Sequence, residues 1–171
     1  MIIKPNIADV PAYYRTYLGL VQSNDLISEL HKSQEMTNQL IKSIPADMVD
    51  YCYEENKWSI KQVFRHIIDC ERIFSYRAFR FSRFDGTELA GFDENKYIES
   101  VQNLDYNLED LADDYNSVRT STIQLYSKMT DRMLDFSGIA NKVNFTARGL
   151  GYASVGHNLH HCNFIKKMYL K

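Results

Sequence analysis

Three of the five histidines in this chain lie in one short stretch, GHNLHHCNF, near the C-terminus. His157 and His161 are four residues apart, so a helix places their imidazoles one turn apart on one face, where both can reach a single ion. His160 falls nearer the polar side of that helix, and we expect it to lie outside such a site. The pair alone is a weak indication, because many helices with two histidines bind nothing.

A histidine from another segment makes the pair more informative. His66 lies in an apolar stripe that continues at helical spacing to Cys70. Taken alone, His66 is more simply a core histidine bound to a carbonyl or a carboxylate. Two helices that each place histidine inside an apolar stripe favour a shared partner, because three buried imidazoles without one are costly. We therefore predict a metal site formed by His66, His157 and His161, with separately satisfied core histidines as the alternative.

Three neutral imidazoles are the ligand set of an open divalent site, in which a fourth position is left for water or substrate. We expect one divalent metal ion, zinc or nickel, because imidazole suits both. A water in the open position would lose its proton near neutral pH and become a nucleophile. The same position could instead take a substrate thiolate, and the ligand set does not decide between these reactions.

Three further residues on the helix of His66 could take part in chemistry. Asp69, about 60° around the helix, could orient an imidazole or act as a catalytic base, or it could pair with an arginine. Cys70 lies one turn beyond His66 and could be a fourth ligand or a nucleophile, although buried cysteines are usually small core side chains. Arg77 lies on the same stripe, where it could hold an anionic group of a substrate or a buried structural carboxylate.

Long helices are needed to position these side chains, and the sequence predicts them. It contains only seven glycines and three prolines, and apolar residues recur with a period near 3.6. Ser59 and Gln62 have the spacing of a capping box, and Asp85-Gly86 ends the helix that they begin. The predicted helices cover residues 23–44, 58–84, 107–129 and 153–170.

Two long connections, 85–106 and 135–152, precede the third and fourth predicted helices. Connections of this length are more often functional lids or packed caps than idle linkers. Four long helices with two such connections predict an all-α fold, a four-helix bundle formed by one domain over residues 1–171.

The composition limits the possible partners. The chain is 44% apolar and 25% charged, with a formal net charge of −2, so it has no general attraction for nucleic acid or for anionic membranes. Its three cysteines show no CxxC spacing, which argues against a disulfide framework. No signal-like or membrane-spanning apolar run is present. We expect a cytoplasmic protein that acts on a small molecule.

The two segments that contain the candidate metal ligands also resemble motifs of a known family. WSIKQVFRHIIDCERIFSYRAFRF resembles the second-helix signature of the DinB-like superfamily, the DNA-damage-inducible or YfiT-type proteins, and VGHNLHHCNFI resembles its last-helix motif. The resemblance implies a four-helix bundle that carries one divalent metal on three histidines. By position these are His66, His157 and His161, and His160 lies outside the triad.

Function follows from the resemblance in outline. Members are often homodimers, and some are transferases that use the low-molecular-weight thiols bacillithiol, mycothiol or glutathione. We therefore expect a metal-dependent enzyme whose three-histidine site activates a thiol cofactor or water for transfer or hydrolysis. The alternative is a non-catalytic bundle that is stabilised by a metal or binds a small molecule.

Overall fold

Seven helices and one β-hairpin form the ordered elements of the computed structural model, which describes residues 1–170. The helices are α1 (Ala12–Leu20), α2 (Leu26–Ser43), α3 (Ile60–Ser82), α4 (Glu94–Ser100), α5 (Leu108–Ser127), α6 (Asp131–Asp135) and α7 (Ala147–Met168). Strands β1 (Ser137–Ala140) and β2 (Val143–Thr146) pair antiparallel. Short 3₁₀ turns occupy Ile7–Asp9 and Ala46–Met48. The prediction of an all-α fold is confirmed, with the small hairpin added.

Local signals fix the ends of the long helices. The backbone N–H of Ser59 donates to the Gln62 carboxamide at 2.7 Å at the start of α3, as the capping-box spacing predicts. Asn107 accepts the N–H groups of the first turn of α5, and α2 ends before Pro45. The start of α7 differs from the prediction, since the helix begins at Ala147 rather than at residue 153. Thr146 caps it by accepting the Gly149 N–H at 3.0 Å.

The four long helices form the bundle with an unusual order around its axis. Helices α2 and α3 both pack against α5 and α7, so α2 lies diagonally across the bundle from α3, and α5 lies diagonally across from α7. One cluster of buried apolar side chains includes the second half of α3 from Cys70 onward and the first half of α7. A second cluster includes α3 up to Ile68 and α7 from Cys162 onward. The stretch of α7 that carries the histidines lies where one cluster gives way to the other.

The shorter elements cover one side of this bundle. Helix α1 packs against α7, where Gly156 allows an approach so close that an added Cβ would lie 2.1 Å from the Tyr17 carbonyl oxygen. The two long connections meet each other, because the Leu89 N–H donates to the Ile139 carbonyl and the Asn141 N–H to the Leu89 carbonyl, each at 2.9 Å. Within residues 1–170, no helix has both the length and the apolar character needed to cross a membrane.

Candidate metal centre

The three histidines of the predicted site come together between α3 and α7. One nitrogen from each of His66, His157 and His161 lies within 4.8 Å of the other two. The Nε2 atoms of His66 and His157 are 3.0 Å apart, and all three pairs of ring centroids are separated by 4.5 to 4.8 Å. Four-residue spacing on α7 places His157 and His161 on one face, and the packing of α3 against α7 brings His66 to them.

Burial keeps these imidazoles neutral. Desolvation lowers the pKa of His66 to about 4 and that of His161 to about 3. The pKa of His157 falls well below its ordinary value, first because of burial and then because His161 and His66 are close. Neutral imidazole has the free lone pair that binds a metal, so all three side chains have the ligating form at pH 7.

The donor set fits a single divalent ion. Two nitrogens that share a tetrahedral zinc, with Zn–N bonds of about 2.0–2.1 Å, lie about 3.3 Å apart, which is close to the Nε2–Nε2 separation of His66 and His157. In the described part of the chain, the triad nitrogens contact one another and Cys70 Sγ, and no carbonyl or carboxylate is hydrogen-bonded to them. The interpretation as separately satisfied core histidines is therefore not supported.

Aromatic rings surround the triad. The Trp58 ring centroid is 4.9 Å from that of His66, and the Tyr17 and Phe74 ring centroids are 5.5 and 5.9 Å from that of His157. These rings pack edge-on or tilted against the imidazoles and form part of the wall around the triad.

A cavity of about 400 Å³ opens beside the triad, a size suited to a small molecule. Its lining includes four residues of one α3 face, three tyrosines of α1 and three residues of the hairpin: His66, Cys70, Phe74, Arg77, Tyr13, Tyr14, Tyr17, Ala140, Val143 and Phe145. Cys70 Sγ is 3.6 Å from His66 Nδ1. Burial raises the pKa of the Cys70 thiol, so it is protonated at neutral pH.

Two candidate residues lie outside this cavity. Asp69 is not among the lining residues, and its carboxylate accepts from Arg72 Nη1 at 3.5 Å. Burial raises the pKa of Asp69 more strongly than Arg65 and Arg72 lower it. His160 is exposed and makes edge contacts with the rings of Tyr17 and His161.

Sequence reasoning missed a carboxylate and an aromatic wall. Glu94, at the start of α4, lines the cavity, and its charge raises the pKa of His66 against the larger effect of burial. Tyr14 and Tyr17 come from α1, which the prediction left without structure. In the segment PAYYRTYLGL, Tyr13, Tyr14 and Tyr17 would share one face of a helix, and this pattern was the available signal for α1. The length of the connection 85–106 was the signal for Glu94.

The match to known proteins covers most of the chain. Residues 29–165 match the DinB superfamily. One similar structure is YfiT from Bacillus subtilis, described as a probable metal-dependent hydrolase with an unusual four-helix bundle topology. It has 19% sequence identity and a TM-score of 0.73, over 84% of this chain and 83% of YfiT.

A DinB-like protein from Bacillus subtilis, YjoA, has 20% identity and a TM-score of 0.60, over 84% of this chain and 90% of its own. At identities this low, the similarity to YfiT and YjoA shows a shared fold and nothing more. No curated protein matches the chain.

Proposed function

Because this chain belongs to the DinB superfamily, we propose that it is a divalent-metal-dependent hydrolase that acts on a small molecule. The observation that carries the proposal is the convergence of three neutral imidazoles, within 4.8 Å of one another, on a cavity of about 400 Å³. The description of YfiT as a probable metal-dependent hydrolase points to the same reaction class. Zinc and nickel are the expected ions.

The side chains have separable tasks. His66, His157 and His161 would hold the ion and leave a position that faces the cavity. A divalent ion bound there supplies a Lewis acid and lowers the pKa of a water at that position. Trp58 and Tyr17 exclude bulk water from the flanks of the triad, which strengthens electrostatic interactions within the site.

Glu94 is the carboxylate best placed to move a proton. It is the acidic side chain of the cavity lining, and it is close enough to influence His66. We assign to Glu94 the role of general base and acid. Asp69 is less suited to it, because its carboxylate faces Arg72 and not the cavity.

Transfer to a thiol is the second candidate, and one observation favours it. His161 and Trp58 also border a second cleft of about 330 Å³, which Lys57 and His160 line as well. A low-molecular-weight thiol could reach the triad from this side while the substrate occupies the first cavity. The thiol would then take the place of water as nucleophile.

Metal content tests the site itself. Purified protein loaded with zinc or nickel is expected to hold one ion per chain. Substitution of alanine for His66, His157 or His161 should weaken binding by about a hundredfold or more, because one of three protein ligands is lost. His160→Ala and His31→Ala are matched controls with exposed imidazoles, and both should retain the ion. Unchanged metal content in folded variants of all three triad histidines would contradict the proposal.

Turnover tests the reaction. The metal-loaded protein is expected to hydrolyse members of a panel of simple esters and amides. Glu94→Gln should reduce turnover by about 10²–10⁴-fold while metal content stays at one ion. Addition of glutathione or bacillithiol with an electrophile separates the two candidates, since thiol-dependent product without hydrolysis would favour transfer.

A further inference from the structure

Among the residues that the structure describes, Arg77 is a buried cation without a carboxylate partner. Its side chain is 3% exposed, and none of the ion pairs in the described part of the chain includes it. By contrast, Arg65, Arg72 and Arg80 of the same helix each pair with an aspartate. A buried charge is costly unless an opposite charge or several hydrogen bonds compensate it. The expectation of a buried structural carboxylate at Arg77 is therefore not met in residues 1–170.

Neutral groups use only part of the Arg77 guanidinium. Nη2 donates to the Ala90 carbonyl at 2.9 Å, and the centre of the Phe92 ring is 5.8 Å away. The Tyr14 phenol lies beside it, and burial raises the pKa of that phenol, so it carries no charge at pH 7. A guanidinium has five N–H donors in a planar fork. Donors remain that can face the cavity, and no contact within residues 1–170 supplies negative charge.

Arg77 and the histidine triad line one continuous cavity. His66, Cys70, Phe74 and Arg77 follow a single face of α3, and all four line it. The Cα atoms of His66 and Arg77 are about 16 Å apart along the helix axis. All helical side chains lean toward the N-terminus, and the arginine side chain is longer than the imidazole. The lean therefore carries the Arg77 guanidinium further along the axis than the His66 ring, so the gap is shorter than the Cα separation. A small molecule can therefore contact both ends.

The charges of the lining favour an anion. Among the residues that line the cavity, Arg77 is the arginine and Glu94 is the carboxylate. Because no carboxylate of the described residues forms an ion pair with Arg77, its end of the cavity is positive with or without an ion at the triad. A planar guanidinium fork matches the oxygens of a carboxylate or a phosphate group in two parallel hydrogen bonds.

We propose that Arg77 forms an oxyanion subsite, which binds the carboxylate or phosphate at the far end of a substrate whose reacting group lies at the triad. The part of this inference that concerns the reacting group rests on the proposed function. The anion subsite itself does not, because Arg77 belongs to the protein whether or not an ion is bound.

Two pairs of probes test the subsite. In metal-free protein, hexanoate is compared with 1-hexanol by calorimetric titration, and hexyl phosphate serves as the phosphate arm. In nickel-loaded protein, 6-mercaptohexanoate is compared with 6-mercapto-1-hexanol by the thiolate-to-nickel absorption band. Within each pair the acid is expected to bind about tenfold or more tightly than the alcohol, as for a charge-assisted hydrogen bond. Whichever of hexanoate and hexyl phosphate binds more tightly identifies the class of anion that the subsite prefers.

Arg77→Met should abolish the preference for the acid and leave the binding of the alcohol unchanged. Arg77→Lys keeps the charge but not the planar guanidinium, so it should retain part of the preference for the acid. This variant replaces Arg77→Met in the test if Arg77→Met does not fold. Arg83→Met removes an exposed arginine from the end of the same helix and is the matched control.

The outcomes separate the two proposals. Equal binding of acid and alcohol by the unmodified protein, or a preference that survives in folded Arg77→Met, would overturn the subsite. Failure of the protein to retain nickel, with an intact, Arg77-dependent preference for hexanoate, would overturn the metal site and leave the subsite standing.

Discussion

At the residue scale, the candidate chemistry depends on three imidazoles that burial keeps neutral. His66 and His157 are less than 10% exposed, and desolvation is the largest cause of the lowered pKa of each triad member. The same desolvation makes the metal-free site sensitive to acid. The sequence predicted which histidines belong together, because helical periodicity assigns each one to a face. It did not predict that Arg77 lacks a carboxylate partner among the described residues, because a missing partner is a property of the packed structure.

The stability of the metal-free protein is expected to fall between pH 7 and pH 5. The unfolded chain takes up protons on His66 and His161 below pH 6.5, whereas the folded site does so only near pH 4 and pH 3. Stability from these groups is therefore complete above pH 6.5 and is lost as the pH falls toward the folded values. The loss by pH 5 is about 2 kcal/mol for each histidine.

Urea unfolding at pH 7 and pH 5 measures this change. A double variant, His66→Gln with His161→Gln, should lose much less free energy of unfolding over the same interval. An equal pH dependence in both proteins would show that these imidazoles do not titrate as buried groups.

At the scale of single elements, α1 and the hairpin decide the shape of the cavity. Local capping signals and proline predicted the ends of α2, α3 and α5, because those signals act within a few residues. The nine-residue helix α1 was missed, since a helix of that length is marginal alone and depends on its packing against α7. The hairpin was missed for a similar reason, because an isolated two-stranded hairpin is also marginal.

The contact between α1 and α7 can be tested at Gly156. An alanine Cβ there would meet the Tyr17 carbonyl oxygen at 2.1 Å, so Gly156→Ala should move α1 and cost about 1–3 kcal/mol of unfolding free energy. Metal content should persist, because the ligands lie on α3 and α7. Gly19→Ala is the matched control, since a Cβ at Gly19 meets nothing within 4 Å. That change should stabilise α1 by up to about 1 kcal/mol, and a similar loss for both variants would refute the proposed close packing.

At the scale of the whole molecule, a buried polar cluster joins three helices of the bundle. Arg119 of α5 forms two hydrogen bonds with Glu71 of α3, at 2.7 and 2.8 Å, and both side chains are almost fully buried. Arg119 also donates to the Leu30 carbonyl of α2 at 2.8 Å and to Ser33. Because each partner satisfies a charge that water cannot reach, the cluster fixes the relative positions of the helices.

Breaking this pair is expected to be costly. Glu71→Gln leaves the Arg119 charge buried without compensation and should reduce the free energy of unfolding by about 3–5 kcal/mol. Glu71→Met combined with Arg119→Met should cost much less, because neither charge remains. Urea unfolding of the single and double variants measures the difference.

Asp131→Asn provides the comparison for that pair. Asp131 pairs with Arg148 but is 86% exposed, so its substitution should change the free energy of unfolding little. A Glu71→Gln effect as small as that of Asp131→Asn would show that the buried pair contributes nothing to the bundle.

The sequence by itself determined the long helices, the family and the three histidines, because caps, prolines and periodicity are local properties that survive any arrangement of the rest. Only the tertiary structure decided what faces the histidines. Glu94, Tyr14 and Tyr17 reach the cavity through elements that are stable only when packed against the bundle. Within residues 1–170, Arg77 is an unpaired cation, whereas Asp114 pairs with Arg65 and Arg72, and Glu71 pairs with Arg119. Such pairings depend on contacts between residues far apart in the chain, which no local pattern records.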